Sequence, residues 1–551
     1  TGLGISLQAR GTELDIFDPQ KKLTSELLQA IRENKAELLS LLNNVTNVEY
    51  SPIPAAGLRE YYPLSFAQNR LYFMYAFDKS STAYNMPKVI RLKGKIDIDK
   101  LNKTFNSLIA RHENLRTSFH LIDDIPVQKI SSSEKINVEI IDDIRSFIRP
   151  FDLQQAPLLR VGLSKISKDR HLLIMDMHHI IADGISQNTL IHDFVALYNN
   201  GSLPEVKLHF KDFATWEQSN DNKEAIASQK KYWLKQFEEE ITPLDLPVDF
   251  PRPSVMNYAG GSLSFSVDEN LPALPEGVTP FMMLLSVYAI LLSKLANKED
   301  IVIGVLSAGR RHADLQQAVG MFVNTLPVRL RPKPAQTFTG FLNTVKAQVL
   351  ASIDNQEYQY ESLIDELKIE RDASRNPLFD VLFDYVNYGQ PEIRIRGLEA
   401  EPYILEHPVA KFDLTLSAVP MNGRVSFDME YATSLFSEAT VARFAGYYKK
   451  IIRIVTANPA IAIGEIDMLP VEETEQLLYR FNDTTLEFPQ ETIVSLFEKQ
   501  VQRSPRKTAV VFENVALTYR ELHEQSNRIA HSLKGNRGEV IGIMCERSEK
   551  M

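Results

Sequence analysis

Apolar residues recur at helical spacing in several long intervals of the chain. Residues 97–112 predict a helix with one apolar face, made of Leu101, Phe105, Leu108 and Ile109. The run from Phe281 to Leu292 predicts a buried helix, because Thr279 is suited to cap it and Pro280 to occupy its first turn. A further helix is expected near 186–198.

Short apolar runs between these helices predict strands, for example at 172–177 and 300–305. Helices that alternate with strands are typical of an α/β fold. We expect two α/β lobes in one large domain, at about 59–235 and 236–470. A charged stretch and then a proline-rich stretch, between 221 and 253, separate the lobes.

Residues 1–44 have the pattern of a small separate module. Polarity alternates in 4–9 and 13–17, which predicts a β-hairpin, and Thr24 is suited to cap a following helix. Leucines and one isoleucine fall at helical spacing there, in one helix or in two joined near Asn34: Leu27, Leu28, Ile31, Leu38, Leu39 and Leu42. So small a unit buries little surface by itself, so we expect it to associate with a partner.

A polar stretch at 45–58, with Pro52, Pro54 and Gly57, is expected to be a linker. The final segment, 471–551, is expected to be the truncated start of a further domain.

Charge and composition exclude several classes of function. The net charge is −10 over 551 residues, which argues against nucleic acid as a partner. Cys545 is the single cysteine, so the chain has no disulfide framework and no cysteine metal site, which fits a reducing cytoplasm. The first residues lack a basic region and an apolar run, so no signal peptide is expected. The run that ends at Leu292 is shorter than the about 20 residues that span a bilayer, so no membrane partner is expected.

The strongest candidate for chemistry follows the strand at 172–177. His178 and His179 lie at the end of this strand, where a rigid scaffold often presents reactive side chains. Histidine can take and return a proton near neutral pH. Asp183 is expected to hold the loop by pairing with a distant basic residue, and Gly184 to give a substrate room.

Other interpretations of the histidine pair are a metal site, a serine hydrolase site or a purely structural role. A metal site lacks further ligands at zinc-like spacing, and a serine hydrolase lacks the Gly-x-Ser-x-Gly elbow. A histidine pair alone is more often structural than catalytic. The complete string from His178 to Gly184 is much more specific than the pair.

The string from His178 to Gly184 is one of several motifs by which the sequence resembles the condensation-domain family of nonribosomal peptide synthetases. This family lies in the chloramphenicol-acetyltransferase-like superfamily. Seven segments match the family's signatures in order: Ser65–Tyr72, Arg111–Phe119, Met177–Ser186, Asp212–Trp216, Val319–Leu326, Asn355–Glu361 and Arg371–Leu378. The sixth departs most, with Gln356 and Tyr358 where the family usually has Pro and Phe. Phe210, beside the fourth, replaces a usual Tyr.

The resemblance implies two chloramphenicol-acetyltransferase-like lobes in a V-shaped arrangement, with a tunnel between them. An acceptor amine would attack a donor thioester there, each substrate being held on the phosphopantetheine arm of a carrier protein. His179 would orient or deprotonate the amine, within a catalytic segment that also contains His178, Asp183 and Gly184. Within that segment, His178 is expected to be structural.

The resemblance also suggests supporting residues. Asp183 would pair with an arginine, with Arg70 favoured and Arg116 second. Asn324 and Ser186 are expected to line the tunnel, although Asn324 could instead be a turn residue at the crossover between the lobes. Trp216 is expected to pack in a core.

The flanks suggest partners. Residues 1–44 resemble a TubC-type docking domain without its first helix, which implies binding to the C-terminal tail of a preceding synthase subunit. Three runs from about 470 onward resemble the start of an adenylation domain: Phe481–Asp483, Leu517–Leu522 and Glu546–Ser548. No glycine-rich phosphate loop follows, so adenylation is not expected. The implied partners are an upstream donor carrier and a downstream acceptor carrier.

Rival interpretations remain. A free-standing coenzyme A acyltransferase is the runner-up, followed by an epimerisation domain and a non-catalytic recruitment scaffold. A heterocyclisation domain would carry DxxxxD in place of the histidine string. Residues 84–87 favour an L-configured donor, and a polyketide acyl donor fits equally well.

Overall fold

The computed structural model describes residues 6–10, 13–17, 23–35, 52–267, 274–370, 372–386, 393–403, 405, 409–421, 424–533, 538 and 540–550. Two units divide at the junction of Pro470 and Val471. The expectations for Leu38, Leu39, Leu42 and Arg371 lie outside the described residues.

A hairpin and a helix begin the first unit. Strands β1 (Ser6–Arg10) and β2 (Glu13–Phe17) pair antiparallel with Ser6 opposite Phe17, which confirms the predicted hairpin. Helix α1 (Ser25–Glu33) follows Thr24, whose Oγ1 accepts a hydrogen bond from the Leu27 N–H at 3.2 Å. This contact is the cap that the sequence predicted.

The first lobe is built on a five-stranded sheet. In spatial order its strands are β14 (Glu399–Tyr403), β4 (Lys88–Lys93), β9 (Arg170–Met177), β8 (Leu159–Lys165) and β7 (Glu139–Ile141). A three-stranded sheet lies beside it, with β3 (Tyr62–Pro63), β6 (Ile125–Ile130) and β5 (Thr117–Ile122) in that order.

Two helices of the first lobe begin at side-chain caps. Asp97 caps α3 (Ile98–Arg111), and Ser65 and Gln68 form a reciprocal capping box at α2 (Phe66–Phe77). The apolar face of α3 packs into the first core together with α4 (Gly184–Tyr198). A further helix, α5 (Phe210–Glu217), follows.

The second lobe has a six-stranded mixed sheet. Its strands are, in spatial order, β10 (Gly260–Ser266), β16 (Arg424–Ala432), β15 (Leu414–Met421), β13 (Val381–Tyr385), β11 (Ile301–Ser307) and β12 (Asn324–Leu330). Its core also contains α7 (Pro280–Ala296), α8 (Phe338–Asp354), α9 (Tyr360–Leu367) and α10 (Glu438–Ala457). Thr279 caps α7 and Pro280 is its first residue, so this buried helix forms as predicted.

Two elements cross the predicted boundary between the lobes. Strand β14 comes from the second lobe's sequence, yet it pairs antiparallel with β4 at the edge of the first sheet, with Glu399 opposite Lys93. Helix α6 (Asn220–Gln236) falls almost entirely in the range expected for the first lobe, but its Trp233 is buried in the second core. The positions of β14 and α6 depend on tertiary packing. Such packing leaves no local pattern in the sequence.

A separate apolar cluster joins the lobes. It contains Phe210 and Phe213 of α5 and Phe322, with Ile53, Leu208, Ala214, Leu315 and Ala318. The Phe210 ring lies against the backbone of Gly320, where an added Cβ would overlap a ring carbon at 1.8 Å. A side chain at position 320 would therefore separate the lobes at this point. Trp216 packs beside this cluster and is half-buried, in line with its expected packing role.

The second unit begins with α11 (Val471–Glu475), which continues as a single π-helical turn. It then contains α12 (Ile493–Arg503), the hairpin of β17 (Thr508–Phe512) and β18 (Val515–Thr518), and α13 (Tyr519–Ser532). Thr518 and Glu521 form a capping box at α13. This box explains why the Leu517–Leu522 motif has these residues at this spacing.

Candidate active site

Strand β9 leads directly to the candidate catalytic loop, residues 178–183. Its last residue, Met177, pairs with Leu159 of β8, and the next N–H, that of His178, donates to the Leu158 carbonyl at 3.1 Å. A single 3₁₀ turn, His179–Ile181, follows. Asp183 then caps α4 by accepting a hydrogen bond from the Ser186 N–H at 2.7 Å. The loop is thus fixed at both ends by regular structure.

The side chain of His179 faces a large cavity between the two lobes. Its backbone N–H donates to the Tyr84 carbonyl at 2.8 Å. Nδ1 is buried and has no hydrogen-bond partner among the described residues. Burial, and then the nearby charges of Lys411 and Arg70, lower the pKa of His179 to about 3. The imidazole is therefore neutral at physiological pH and available as a hydrogen-bond acceptor.

The side chain of His178 contacts neighbouring residues of its own lobe. Its Nδ1 accepts a hydrogen bond from the Ile180 N–H at 3.2 Å, and its ring meets Phe151 edge-on at 6.2 Å. Burial, and then the neighbouring His179, lower the pKa of His178 to about 3. These contacts agree with the structural role expected for His178, although part of the residue lines the cavity.

The arginine that pairs with Asp183 is Arg310, so the prediction of Arg70 or Arg116 is wrong. Arg310 Nη2 lies 3.1 and 3.2 Å from the two carboxylate oxygens of Asp183. The Phe322 N–H donates to the same carboxylate at 3.2 Å. Arg310 also donates to the carbonyls of Leu315 and Ala318, both at 2.6 Å.

Sequence reasoning chose the wrong arginine because Asp183 faces the second lobe. Arg310 lies 127 positions away along the chain and belongs to no matched signature. Arg70 instead pairs with Glu361 at 3.4 Å and lines the cavity wall. Arg116 contacts Glu113 and the Ser131 carbonyl, away from the cavity lining.

The three other predicted residues have different outcomes. Gly184 lines the cavity. Ser186 is fully buried outside the lining, so its predicted tunnel role is wrong: its Oγ donates to the Gly320 carbonyl at 2.9 Å. Asn324 borders the cavity, but its Nδ2 donates to the carbonyls of Gln356 and Tyr358, at 2.8 and 3.1 Å. A substrate contact by Asn324 stays a prediction.

The cavity has a volume of about 1840 Å³, and both lobes line it. It exceeds the roughly 300–1,000 Å³ of an ordinary small-ligand site, so it has room for more than one ligand. Sequence reasoning missed several polar wall residues, namely Tyr258, Tyr360, Asp384, Lys411 and Glu430. They come from separate strands and loops, and no motif connects them.

In the described part of the chain, no helix combines the length and the apolarity needed to cross a bilayer.

The family model of the condensation domain matches residues 58–478, which contain the histidine loop, its Arg310 anchor and both lobes. The chain belongs to the condensation-domain family of nonribosomal peptide synthetases. A model of AMP-binding enzymes matches residues 497–551 of the second unit. The order of the two matches is a condensation domain followed by the start of an adenylation-type domain.

Bacterial peptide synthetases are similar to this condensation domain and its flanks. Tyrocidine synthase 2 of Brevibacillus parabrevis is 42% identical over 520 residues, and gramicidin S synthase 2 of Brevibacillus brevis is 40% identical over 536 residues. These alignments cover 91% and 93% of this chain, but only 14% and 12% of the relatives.

Solved structures share the fold. A four-domain nonribosomal peptide synthetase, holo-AB3403, matches 87% of this chain with a TM-score of 0.74 at 21% identity, over 39% of its own chain. The X-domain from teicoplanin biosynthesis matches 76% of this chain with a TM-score of 0.70 at 21% identity, over its whole length. The predicted α/β class and chloramphenicol-acetyltransferase-like architecture are confirmed.

Proposed function

We propose that this condensation domain joins a donor acyl or peptidyl thioester to the amine of an acceptor aminoacyl thioester, with both substrates held on carrier proteins. The neutral imidazole of His179, which faces a cavity shared by both lobes, supports this proposal most directly. A cavity of about 1840 Å³ has room for two substrate arms that enter together. The phosphopantetheine arms belong to the carriers and reach the domain as parts of the substrates.

Positioning is the role that the environment of His179 favours. An α-amine has a pKa of about 8, so it is already substantially neutral near that pH. The pKa of His179, about 3, makes the free imidazole a weak base. It can still accept a hydrogen bond from the amine and aim the nitrogen lone pair at the thioester carbonyl. Correct placement of the two reacting atoms accounts for a large part of such a rate acceleration.

Transfer between loaded carriers tests this function. Donor and acceptor carriers are loaded with matched substrates and mixed with the full chain, and their masses are followed by intact-protein mass spectrometry. We expect the acceptor carrier to gain the donor acyl group and the donor carrier to return to its free thiol. An acceptor whose α-amine is acetylated serves as the control and should gain nothing.

The same assay separates the rival functions. An epimerisation domain would invert the substrate α-carbon, seen by chiral analysis, without any transfer of mass between carriers. A recruitment scaffold would bind carriers, but it would change neither the α-carbon configuration nor the mass of a carrier. Failure of transfer with several matched substrate pairs would contradict amide bond formation by this chain.

A docking role for residues 1–44 is a further part of the proposal. Strands β1 and β2 form a sheet of only two strands, so each has an edge without a strand partner among the described residues. Such an edge can accept an added strand from another chain. This geometry supports capture of the C-terminal tail of a preceding subunit.

Deletion of residues 1–44 is expected to weaken transfer from an intact upstream subunit about 10-fold or more at low concentration, because tethering raises the effective concentration of the carrier. Transfer from free carriers at saturating concentration should be unchanged. Equal transfer from the upstream subunit with and without residues 1–44 would remove the docking role.

A further inference from the structure

Lys411 is a charged residue of the cavity wall that no matched signature covers. It lies three positions before β15 and lines the cavity from the second lobe. Its Nζ lies 4.7 Å from the centre of the Tyr84 ring. The Tyr84 carbonyl accepts the hydrogen bond from the His179 N–H at 2.8 Å. A cation of one lobe thus reaches the residue that holds the catalytic loop of the other.

The ammonium group of Lys411 is available to a ligand. No hydrogen bond or ion pair of its Nζ is present within the described ranges. Its charge nevertheless acts on the site, because it is the largest charge effect that lowers the pKa of His179. Lys411 is half-buried, and its ammonium has three N–H donors that can face the cavity. The reacting substrate can supply an acceptor for them.

Several charged or titratable groups surround Lys411. They are Glu430 on β16, Arg70 on α2, Tyr84, and the histidines His178 and His179. Asp384 on β13 and Tyr258 line the same cavity. Burial lowers the pKa of Lys411 to about 8, Glu430 opposes this change, and Arg70 adds to it. Lys411 is therefore mainly protonated at neutral pH and loses its charge about one pH unit higher.

We propose that Lys411 is a catalytic residue that stabilises the negative charge on the thioester carbonyl oxygen during amide formation. This inference rests on the function proposed above. When the amine attacks, a C–N bond forms and the carbonyl π pair moves onto oxygen. When the intermediate collapses, the C=O bond forms again and the C–S bond breaks. The sulfur leaves as a thiolate and receives the proton that the nitrogen loses. The oxygen is negative only between these events, so a nearby cation stabilises the transition state more than the substrate.

Two substitutions at Lys411 test the role of the charge in the full chain with both loaded carriers. Lys411→Gln is expected to lower the single-turnover rate constant about 100-fold at pH 7.5, without a change in the carrier concentration at half-saturation. Lys411→Arg keeps the charge and should retain most of the rate. A Lys411→Gln rate within twofold of the parent, or a loss confined to half-saturation, would overturn the proposal.

The pH profile separates a charge effect from a structural one. The stabilising form of Lys411 is protonated, so its contribution is lost as pH rises through about 8. The acceptor amine loses its proton over the same range and raises the rate, so each rate is divided by the rate of Lys411→Arg, which keeps its charge, at the same pH. The parent ratio should fall as pH rises through about 8. Glu430→Gln removes a carboxylate that favours the protonated lysine, so its ratio should fall at lower pH. With a purely structural lysine, neither ratio would change with pH.

Controls without the enzyme correct for thioester hydrolysis at high pH. A ratio of the parent rate to the Lys411→Arg rate that stays constant to pH 10 would overturn the proposal even if Lys411→Gln failed to fold. If the parent forms no amide at any pH, the proposed function itself fails. If the parent forms amide and Lys411→Gln behaves as the parent does, only the role of Lys411 fails.

Discussion

Replacement of His179 by alanine is expected to lower the rate of amide formation about 100- to 10,000-fold while the protein stays folded. The imidazole faces the cavity, and its Nδ1 has no hydrogen-bond partner within the described residues, so its removal costs no hydrogen bond of Nδ1. What is lost is the group that orients the amine. Single-turnover mass spectrometry measures the rate, and thermal unfolding measures stability.

The neighbouring His178 provides a matched control for this substitution. Its Nδ1 accepts from the Ile180 N–H at 3.2 Å and its ring packs on Phe151, so His178→Ala should lower the melting temperature. His179→Ala should leave the melting temperature close to that of the parent. A His179→Ala protein as fast as the parent would show that the catalytic assignment is wrong.

Arg310→Met is expected to reduce the free energy of unfolding of the first unit by about 3–5 kcal/mol, because it leaves the Asp183 carboxylate buried without a counter-ion. Asp183 is fully buried and Arg310 is 6% exposed, so water cannot replace the lost partner. The substitution also removes the donor to the carbonyls of Leu315 and Ala318. Urea unfolding can be followed by tryptophan fluorescence, since both tryptophans, Trp216 and Trp233, lie in this unit.

Two further variants sharpen this experiment. Arg116→Met removes an arginine that pairs with nearby Glu113, and it should cost less, because Glu113 keeps a second partner, Lys211, at 2.6 Å. The double variant Asp183→Asn with Arg310→Met should lose less stability than the sum of the single losses, because neither charge is then left alone. Additive losses, or a parent-like urea midpoint for Arg310→Met, would contradict a coupled buried pair.

Local signals explain what could be predicted from the sequence. Thr279 and Pro280 start α7, and Asp97 starts α3, because caps and apolar faces depend on neighbours within a few positions. The strand that leads to His178 was predictable for the same reason. The catalytic loop was found because its residues are consecutive in the chain.

Long-range contacts explain what could not be predicted. That Asp183 needs a basic partner follows from its chemistry, but the choice of Arg310 depends on how the two lobes pack. Lys411 reaches the cavity from the segment before β15 and Glu430 from β16, and neither lies in a sequence motif. Ser186 lies inside a matched signature, yet its hydroxyl is bound to the backbone of Gly320.

Strand β14 has a consequence for how such domains can be recombined. It returns from the second half of the domain to complete the first sheet, where Glu401 contacts Arg91 at 2.7 Å and Glu399 contacts Lys93 at 3.0 Å. A chimaera spliced between the lobes would pair strand β4 of one parent with strand β14 of the other. Mismatched charges there would leave β4 with a poorly matched edge partner. A viable exchange between synthetases therefore has to carry both strands from the same parent, although about 300 residues separate them in the chain.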